Sequence, residues 1–359
     1  MSALASLFTR EPVPLLGVDV SMSSAKVVEL GRNRSGQLVL EHCALEPLER
    51  GWIVDGNIEK FDEVAEAVRR LVRKCGSRTK NVAFALPASA VITKKIILPS
   101  GLSEAELEIQ VESEANQYIP FSLDEVSLDF CVIGASESSP GDVEVLIAAS
   151  RKEKVQDRQG LAEAAGLKPV VVDIESYASR MAACRLVEYL PNRGQDALVA
   201  LFEIGAMSTS VQVIRNGETL YERDQAFGGS QLTHMIARQY GFSVDEAELK
   251  KRKADLPDDY SSAVLRPFVV SMAQEISRAL QFFFTSSPNN RVDYIVLAGG
   301  GANLAGLPQE VTEQTSFACM VANPFEGMES GAGVKSMKIS REASSYLTAT
   351  GLALRRFYQ

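Results

Sequence analysis

Histidine is nearly absent: His42 and His234 are the only two in 359 residues. They are too few and too isolated for a metal cluster, or for a Ser-His-Asp or Cys-His catalytic set. Cysteine is sparse as well. Cys43, Cys75, Cys131, Cys184 and Cys319 are odd in number, scattered and without a CxxC pair, so they read as reduced, mostly buried thiols. Positive charge is in deficit, with 37 Lys+Arg against 46 Asp+Glu and a net charge of −9. That balance argues against nucleic acid as the main partner, since phosphate binding needs a basic surface. No apolar run is long enough to span a bilayer. The opening MSALASLFTREPVP lacks the basic start and long apolar core of a secretory signal. Leu4, Leu7 and Phe8 share one face of a short helix there, which suits a packing arm or a weak membrane-surface contact. GxxxxGK[ST] and GxGxxG are both missing, which excludes a P-loop and argues against a Rossmann dinucleotide site.

What remains is an ordinary globular composition, 46% hydrophobic and 23% charged, in a chain too long for one core. Two or more domains are expected. Leu15–Leu30, LLGVDVSMSSAKVVEL, reads as a strand, a carboxylate at Asp19, a small polar turn with Ser21, Ser23 and Ser24, and a returning strand. Small turn residues let backbone N–H groups and hydroxyls approach a phosphate, and a carboxylate at the strand end suits hydrated Mg²⁺. Leu198–Tyr221 repeats the layout with Glu203, Gly205, Ser208 and Thr209, followed by the hairpin-turn pair Asn216-Gly217. Two such hairpins half a chain apart predict two similar halves facing one ligand.

Between them, Phe61–Lys74 has helical apolar spacing, and Asn81–Leu86 is a buried-type strand ending at Pro87. Residues 88–169 have a different texture. Strands are expected over Val91–Leu98, Val126–Ile133 and Val143–Ala149, with a helix capped by Ser103 and Glu106 running to Tyr118, and another over Arg151–Gly166. This is read as a small α+β insertion. Val170–Ile174 returns to the core, and Glu175–Tyr189 is helical. Helices are also expected over Gln231–Tyr240, Val244–Lys253 and Ala263–Phe284. The strand Tyr294–Leu297 then runs into Gly299-Gly300-Gly301 and Asn303, bare backbone that suits a nucleotide's phosphate or ribose. Glu246 and Lys251 lie on the charged helix, which by itself reads as a solvated face. Ala343–Tyr358 reads as an amphipathic tail helix.

The two hairpins, the strand-plus-glycine turn and the tail Ala349-Thr350-Gly351 follow the order of the actin-like ATPase superfold. An insertion in the first half resembles the cell-division protein FtsA in particular. VESEANQYIPF (Val111–Phe121), LQFFF (Leu280–Phe284), VDYIVLAGG (Val292–Gly300) and VANPF (Val321–Phe325) resemble the type IV pilus assembly protein PilM family, and the likeness spans the chain after Pro14.

The resemblance implies an α/β, actin-like (duplicated ribonuclease-H-like) fold, with two halves around a nucleotide cleft. First core residues would be 1–87, 170–193 and 336–359, with the FtsA-like insertion at 88–169. The second half would comprise 194–226 and 290–335, with a mixed helical subdomain at 227–289. It implies ATP with Mg²⁺, the metal held through water by Asp19 and Glu203. Asp19, Ser21, Ser23 and Ser24 would form one phosphate loop, and Glu203, Gly205, Ser208 and Thr209 the other. Gly299, Gly300, Gly301 and Asn303 would face adenosine, with Glu246 and Lys251 flanking ribose or base. Asp173 and Glu175 are the candidates for a base or water-positioning residue, although a carboxylate at a helix start is also an ordinary capping device.

The implied partner is a PilN-like bitopic membrane protein. Its cytoplasmic N-terminal peptide would dock in the groove that 88–169 forms with the core, with other pilus assembly proteins as further partners. The implied location is cytoplasmic, peripheral at the inner membrane, in type IV pilus biogenesis and twitching motility. Val20-Ser21 departs from the superfold's usual x-Gly, and Glu203 stands where Asp is common. Both departures favour binding with slow hydrolysis over efficient turnover. A small-molecule kinase and an FtsA-like filament protein are the competing readings.

Overall fold

A computed structural model describes residues 13–331, 334 and 341–358. The expectation for Met1–Pro12 therefore lies outside the described residues. Strands β1 (Leu16–Ser21), β2 (Ser24–Arg32) and β3 (Leu38–Pro47) form an antiparallel meander, followed by the small hairpin β4 (Ile53–Val54) and β5 (Asn57–Ile58). Helix α1 (Phe61–Cys75) buries Val64, Ala65, Val68 and Leu71 on one stripe and ends at Gly76, whose φ of 76° forms a left-handed cap. Strand β6 (Asn81–Leu86) pairs parallel with β1.

The chain then leaves the sheet. β7 (Val91–Pro99), α2 (Glu104–Tyr118), β8 (Val126–Ala135) and β9 (Asp142–Arg151) form a three-stranded antiparallel sheet, order β7-β9-β8, with one helix on it. The Ser103–Glu106 capping box is present at the start of α2. One sheet face (Ile96, Leu98, Val145, Ile147) packs beneath Val111 and Ala115 of α2. Helix α3 (Lys152–Ala164) lies within 88–169, yet its Leu161 and Ala162 join the first core cluster with Leu71 and Phe84. β10 (Lys168–Ile174) pairs parallel with β6, and α4 (Glu175–Val187) follows without a break.

The second half repeats the plan. β11 (Val199–Ile204), β12 (Thr209–Arg215) and β13 (Glu218–Gln225) form a second meander. Asn216 (φ 50°) and Gly217 (φ 84°) make its tight turn, as the Asn-Gly pair predicts. Helices α5 (Ser230–Tyr240), α6 (Val244–Lys253) and α7 (Arg266–Ser286) follow. Then come β14 (Tyr294–Ala298), α8 (Leu307–Thr315), β15 (Ala318–Val321) and the short β16 (Glu329–Ser330). The sheets run β10-β6-β1-β2-β3-β16 and β13-β12-β11-β14-β15. Read outward from β1 and from β11, five strands share one order and one set of directions. The duplication suggested by two hairpins is thus a duplication of whole sheets.

Helix α9 (Leu347–Leu354) lies between the halves and corrects one sequence expectation. Ala343–Tyr358 is not one amphipathic helix: short 3₁₀ turns flank α9, and every residue of α9 is buried. With α4 it fills a third core, where Leu30 and Leu40 of one sheet and Leu201 and Val296 of the other meet Leu347 and Ala353. A helix covered on all sides needs no polar face. The close approach of α9 to α4 depends on Gly351, because a Cβ there would lie 1.8 Å from the Ala178 carbonyl oxygen.

Candidate functional site

The parallel strands β1, β6 and β10 end at one edge of the first sheet, and β11, β14 and β15 end at the matching edge of the second. In open α/β sheets ligands bind beyond the carboxyl ends of the strands. Asp19 sits two residues before the turn of its hairpin, opposite Lys26 of β2. It is buried, and the Lys26 ammonium donates to its Oδ2 at 2.8 Å and to Ser21 Oγ at 2.7 Å. Ser23 is partly exposed in the two-residue turn, and Ser24 closes it across from Ser21.

Glu203 occupies the corresponding end of β11. Ser179 Oγ of α4 donates to its Oε2 and Thr348 Oγ1 of α9 to its Oε1, each at 2.6 Å. Burial first, opposed by these two hydroxyls, raises the Glu203 carboxyl above the usual range. Gly205 and Ser208 are exposed at the turn. Thr209 differs: it is buried and its hydroxyl donates to the Phe227 carbonyl at 2.8 Å, so it braces the turn from behind.

Two candidates for a base separate clearly. Asp173 is held by Arg355 through two hydrogen bonds, 2.5 Å from Nε and 2.8 Å from the terminal nitrogen, and also accepts from the Ile174 N–H. Glu175, the first residue of α4, faces the cleft. Burial, then the Asp19 charge, push it up to about 8, with Glu203 adding to the rise while Arg158 and Lys26 oppose it. Asp19, Glu175 and Glu203 thus act on one another electrostatically. Among the described residues no three His, Cys, Asp or Glu side chains stand close enough to hold a bare metal ion. Carboxylates that face one space but stand too far apart for direct ligation fit a hydrated Mg²⁺ held through water.

The glycine turn is built against the second hairpin. Gly299 has φ 80°, and a Cβ there would lie 2.4 Å from the Ile204 carbonyl oxygen. Gly301 presses on the Ile204 side chain, whereas Gly300 is exposed and has room. The turn therefore sits directly beside Glu203 and Gly205. Asn303 donates to Ser344 Oγ at 2.7 Å, and that hydroxyl donates to the Gly299 carbonyl at 2.9 Å. A pocket of about 430 Å³ opens next to it, lined in part by Asn303, Leu304, Gln309, Asn323 and Ser344. Glu246 is exposed on α6, beside the Ser243 cap. Lys251 pairs with Glu248 at 2.5 Å and donates to Thr233 at 2.6 Å.

Four residues of the site carried no role in the sequence. Lys26 had a signal, since a carboxylate and a lysine seven apart across a two-residue turn fall opposite each other. Arg158 had none. Its buried guanidinium donates to the Gly56 and Ala85 carbonyls, each at 3.1 Å, and these lie far away in the chain. Ser179 and Thr348 likewise reach Glu203 only through the packing of α4 and α9.

A family model described as type IV pilus assembly protein PilM matches residues 17–357. A solved structure described as a PilM–PilN type IV pilus biogenesis complex is 29% identical, with a TM-score of 0.78, covering 96% of this chain and 99% of that one. The ethanolamine utilization protein EutJ from Carboxydothermus hydrogenoformans is 18% identical (TM-score 0.57; 98% and 95% covered). MreB5 of Spiroplasma citri bound to ADP is 13% identical (TM-score 0.50; 95% and 95%). The last two likenesses are of fold alone. Together with the paired sheets they place the chain in the actin-like α/β fold, a fold that implies nucleotide binding.

Proposed function

The chain belongs to the type IV pilus assembly protein PilM family, and from that premise we propose that it is a nucleotide-binding adaptor of the pilus assembly platform. It acts at the cytoplasmic face of the inner membrane, where it grips the cytoplasmic N-terminal peptide of a PilN-like membrane protein. Among the described residues no helix is long and apolar enough to cross a membrane, so a tethered peptide supplies the recruitment.

The observation that carries the partner reading is the insertion's uncovered sheet face. Alternation places Ile96, Leu98, Val145 and Ile147 under α2. The opposite face, with Thr93, Lys95, Ile97 and Cys131, carries no helix of the insertion, and Tyr177 of α4 reaches it at Thr93. Ile97 on β7 is 46% exposed, and Ile133, in the bulge of β8 on the other side of β9, is 42% exposed. β7 and β8 are both edge strands with unpaired backbone groups. Exposed apolar side chains beside a free strand edge suit an extended peptide bound by strand addition or by side-chain contacts. The match to a PilM–PilN complex supports the same choice of partner.

In the cleft, ATP with Mg²⁺ fits the residues present. Asp19 and Glu203 would hold the hydrated metal, and the turns at Ser21–Ser24 and Gly205–Thr209 would meet the phosphates. Mg²⁺ supplies charge neutralisation at the phosphates when bound. Lys26 offers a cation beside the first turn. Glu175, unlike Asp173, has no hydrogen-bonded arginine, and is the group placed to orient a water. Residues 299–303 would border the nucleoside, with Glu246 and Lys251 on the far side.

Titration of a labelled peptide from the PilN-like partner, with hydrogen exchange read across the chain, tests the partner reading. Slowed exchange in β7, β8 and β9 is expected. Protection confined to residues 227–288 would place the groove in the wrong half.

A further inference from the structure

We propose that the first turn and a half of α4 couples the insertion to the cleft, with Arg180 as the residue that carries the coupling to the second half. The proposal rests on the functional reading above, of nucleotide in the cleft and peptide on the insertion. Within six residues α4 makes contacts in three directions. Toward the cleft, Glu175 faces Asp19 and Glu203, and Ser179 donates to Glu203 at 2.6 Å. Toward the second half, the Ser176 carbonyl accepts from Gln212 at 3.1 Å, and Arg180 Nη1 donates to Thr219 Oγ1 of β13 at 3.2 Å. Toward the insertion, the Tyr177 hydroxyl lies within reach of the Thr93 hydroxyl of β7, at the sheet face that α2 leaves free. The Arg180 guanidinium lies 4.7 Å from the centre of the Tyr177 ring. Tyr177 and Arg180 are three apart and share a helix face. Thr219, Arg180, Tyr177 and Thr93 therefore form one continuous line from the edge of the second sheet to the insertion.

The line gives the coupling a sign. With Asp19 and Glu203 both engaged by one ligand, the second half would be held against α4 and the Ser179 and Arg180 contacts would stay made. A fixed Arg180 holds the Tyr177 ring, and Tyr177 holds Thr93, so one wall of the peptide site is ordered before the peptide arrives. A ligand that meets an already ordered site loses less conformational entropy on binding. The two ligands then favour each other, and linkage makes the factor the same in both directions.

The test is a calorimetric cycle on the full chain. A synthetic peptide from the PilN-like partner is titrated with and without magnesium and a non-hydrolysable ATP analogue. In the unaltered chain the peptide should bind about 5-fold tighter or more when the nucleotide is present. In Arg180→Ala that factor should fall below about 2-fold, while the peptide's affinity for the nucleotide-free protein changes little. Thr219→Val, which removes one hydroxyl and keeps the side-chain shape, should lower the factor in the same direction without threatening the fold. A nucleotide effect of the same size in both variants would overturn the proposal. So would peptide binding in the unaltered chain that is indifferent to nucleotide, although the adaptor reading would then stand. Failure of the peptide to bind at all would remove the reading and the proposal together.

Discussion

Lys26 changes how Asp19 must be tested. Truncating Asp19 to Ala would strand a buried ammonium, and breaking one side of such a pair costs roughly 3–5 kcal/mol. Asp19→Asn keeps the shape and an acceptor for Lys26 while removing the charge. It should weaken Mg·ATP binding by about 10-fold or more, the order expected for loss of one charge-assisted interaction, with an unchanged circular dichroism spectrum. Equal affinity in calorimetry would remove Asp19 from the site. The hairpin pattern made Asp19 and Glu203 legible, because a carboxylate beside a small-residue turn is a local signal. Arg158, Ser179 and Thr348 were not legible, since each meets its partner across a packing interface and not along a strand.

Glu175 carries a second prediction. Its ordinary value is 4.5 and the folded value about 8. Between those values the folded protein keeps a proton that the unfolded chain releases, so stability falls as pH rises through the window. Each pKa unit corresponds to about 1.4 kcal/mol, tempered by the partial solvent access of this side chain. Ligand-free Glu175→Gln should gain on the unaltered chain by on the order of 1–3 kcal/mol between pH 5 and 8 in urea unfolding. Parallel profiles for the two proteins would show that Glu175 ionises normally.

At the scale of elements, the helices and strands with strong period or a cap were readable to within a residue or two. The Ser103 box, the Asn216-Gly217 turn and α6 lie where local chemistry puts them. The tail was misread because α9 takes its burial from both halves at once, and no single-face pattern marks a helix enclosed on all sides. Helix α3 shows the same limit: its Leu161 and Ala162 look equally suited to an insertion or a core. The α4–α9 crossing is the element-scale prediction. Gly351→Ala places a Cβ against the Ala178 carbonyl, so the helices must separate. A cost of about 2–3 kcal/mol and a clearly lower melting temperature are expected. An unchanged melting temperature would mean that the crossing is looser than described.

At the scale of the whole molecule, two sheets of one topology present their carboxyl edges to a shared space, and α4 and α9 lie between them. The duplication was legible from two hairpins alone. The position of the insertion followed from the break at Pro87, but which of its faces lies open did not, because that depends on where α2 packs. The central claim is that one nucleotide with magnesium contacts both halves at once. Hydrogen exchange across the full chain, with and without Mg·ATP, tests it most directly. Simultaneous slowing at residues 19–24, 203–209 and 299–303 is the predicted result. Slowing in one half only, or in none of the three segments, would contradict it.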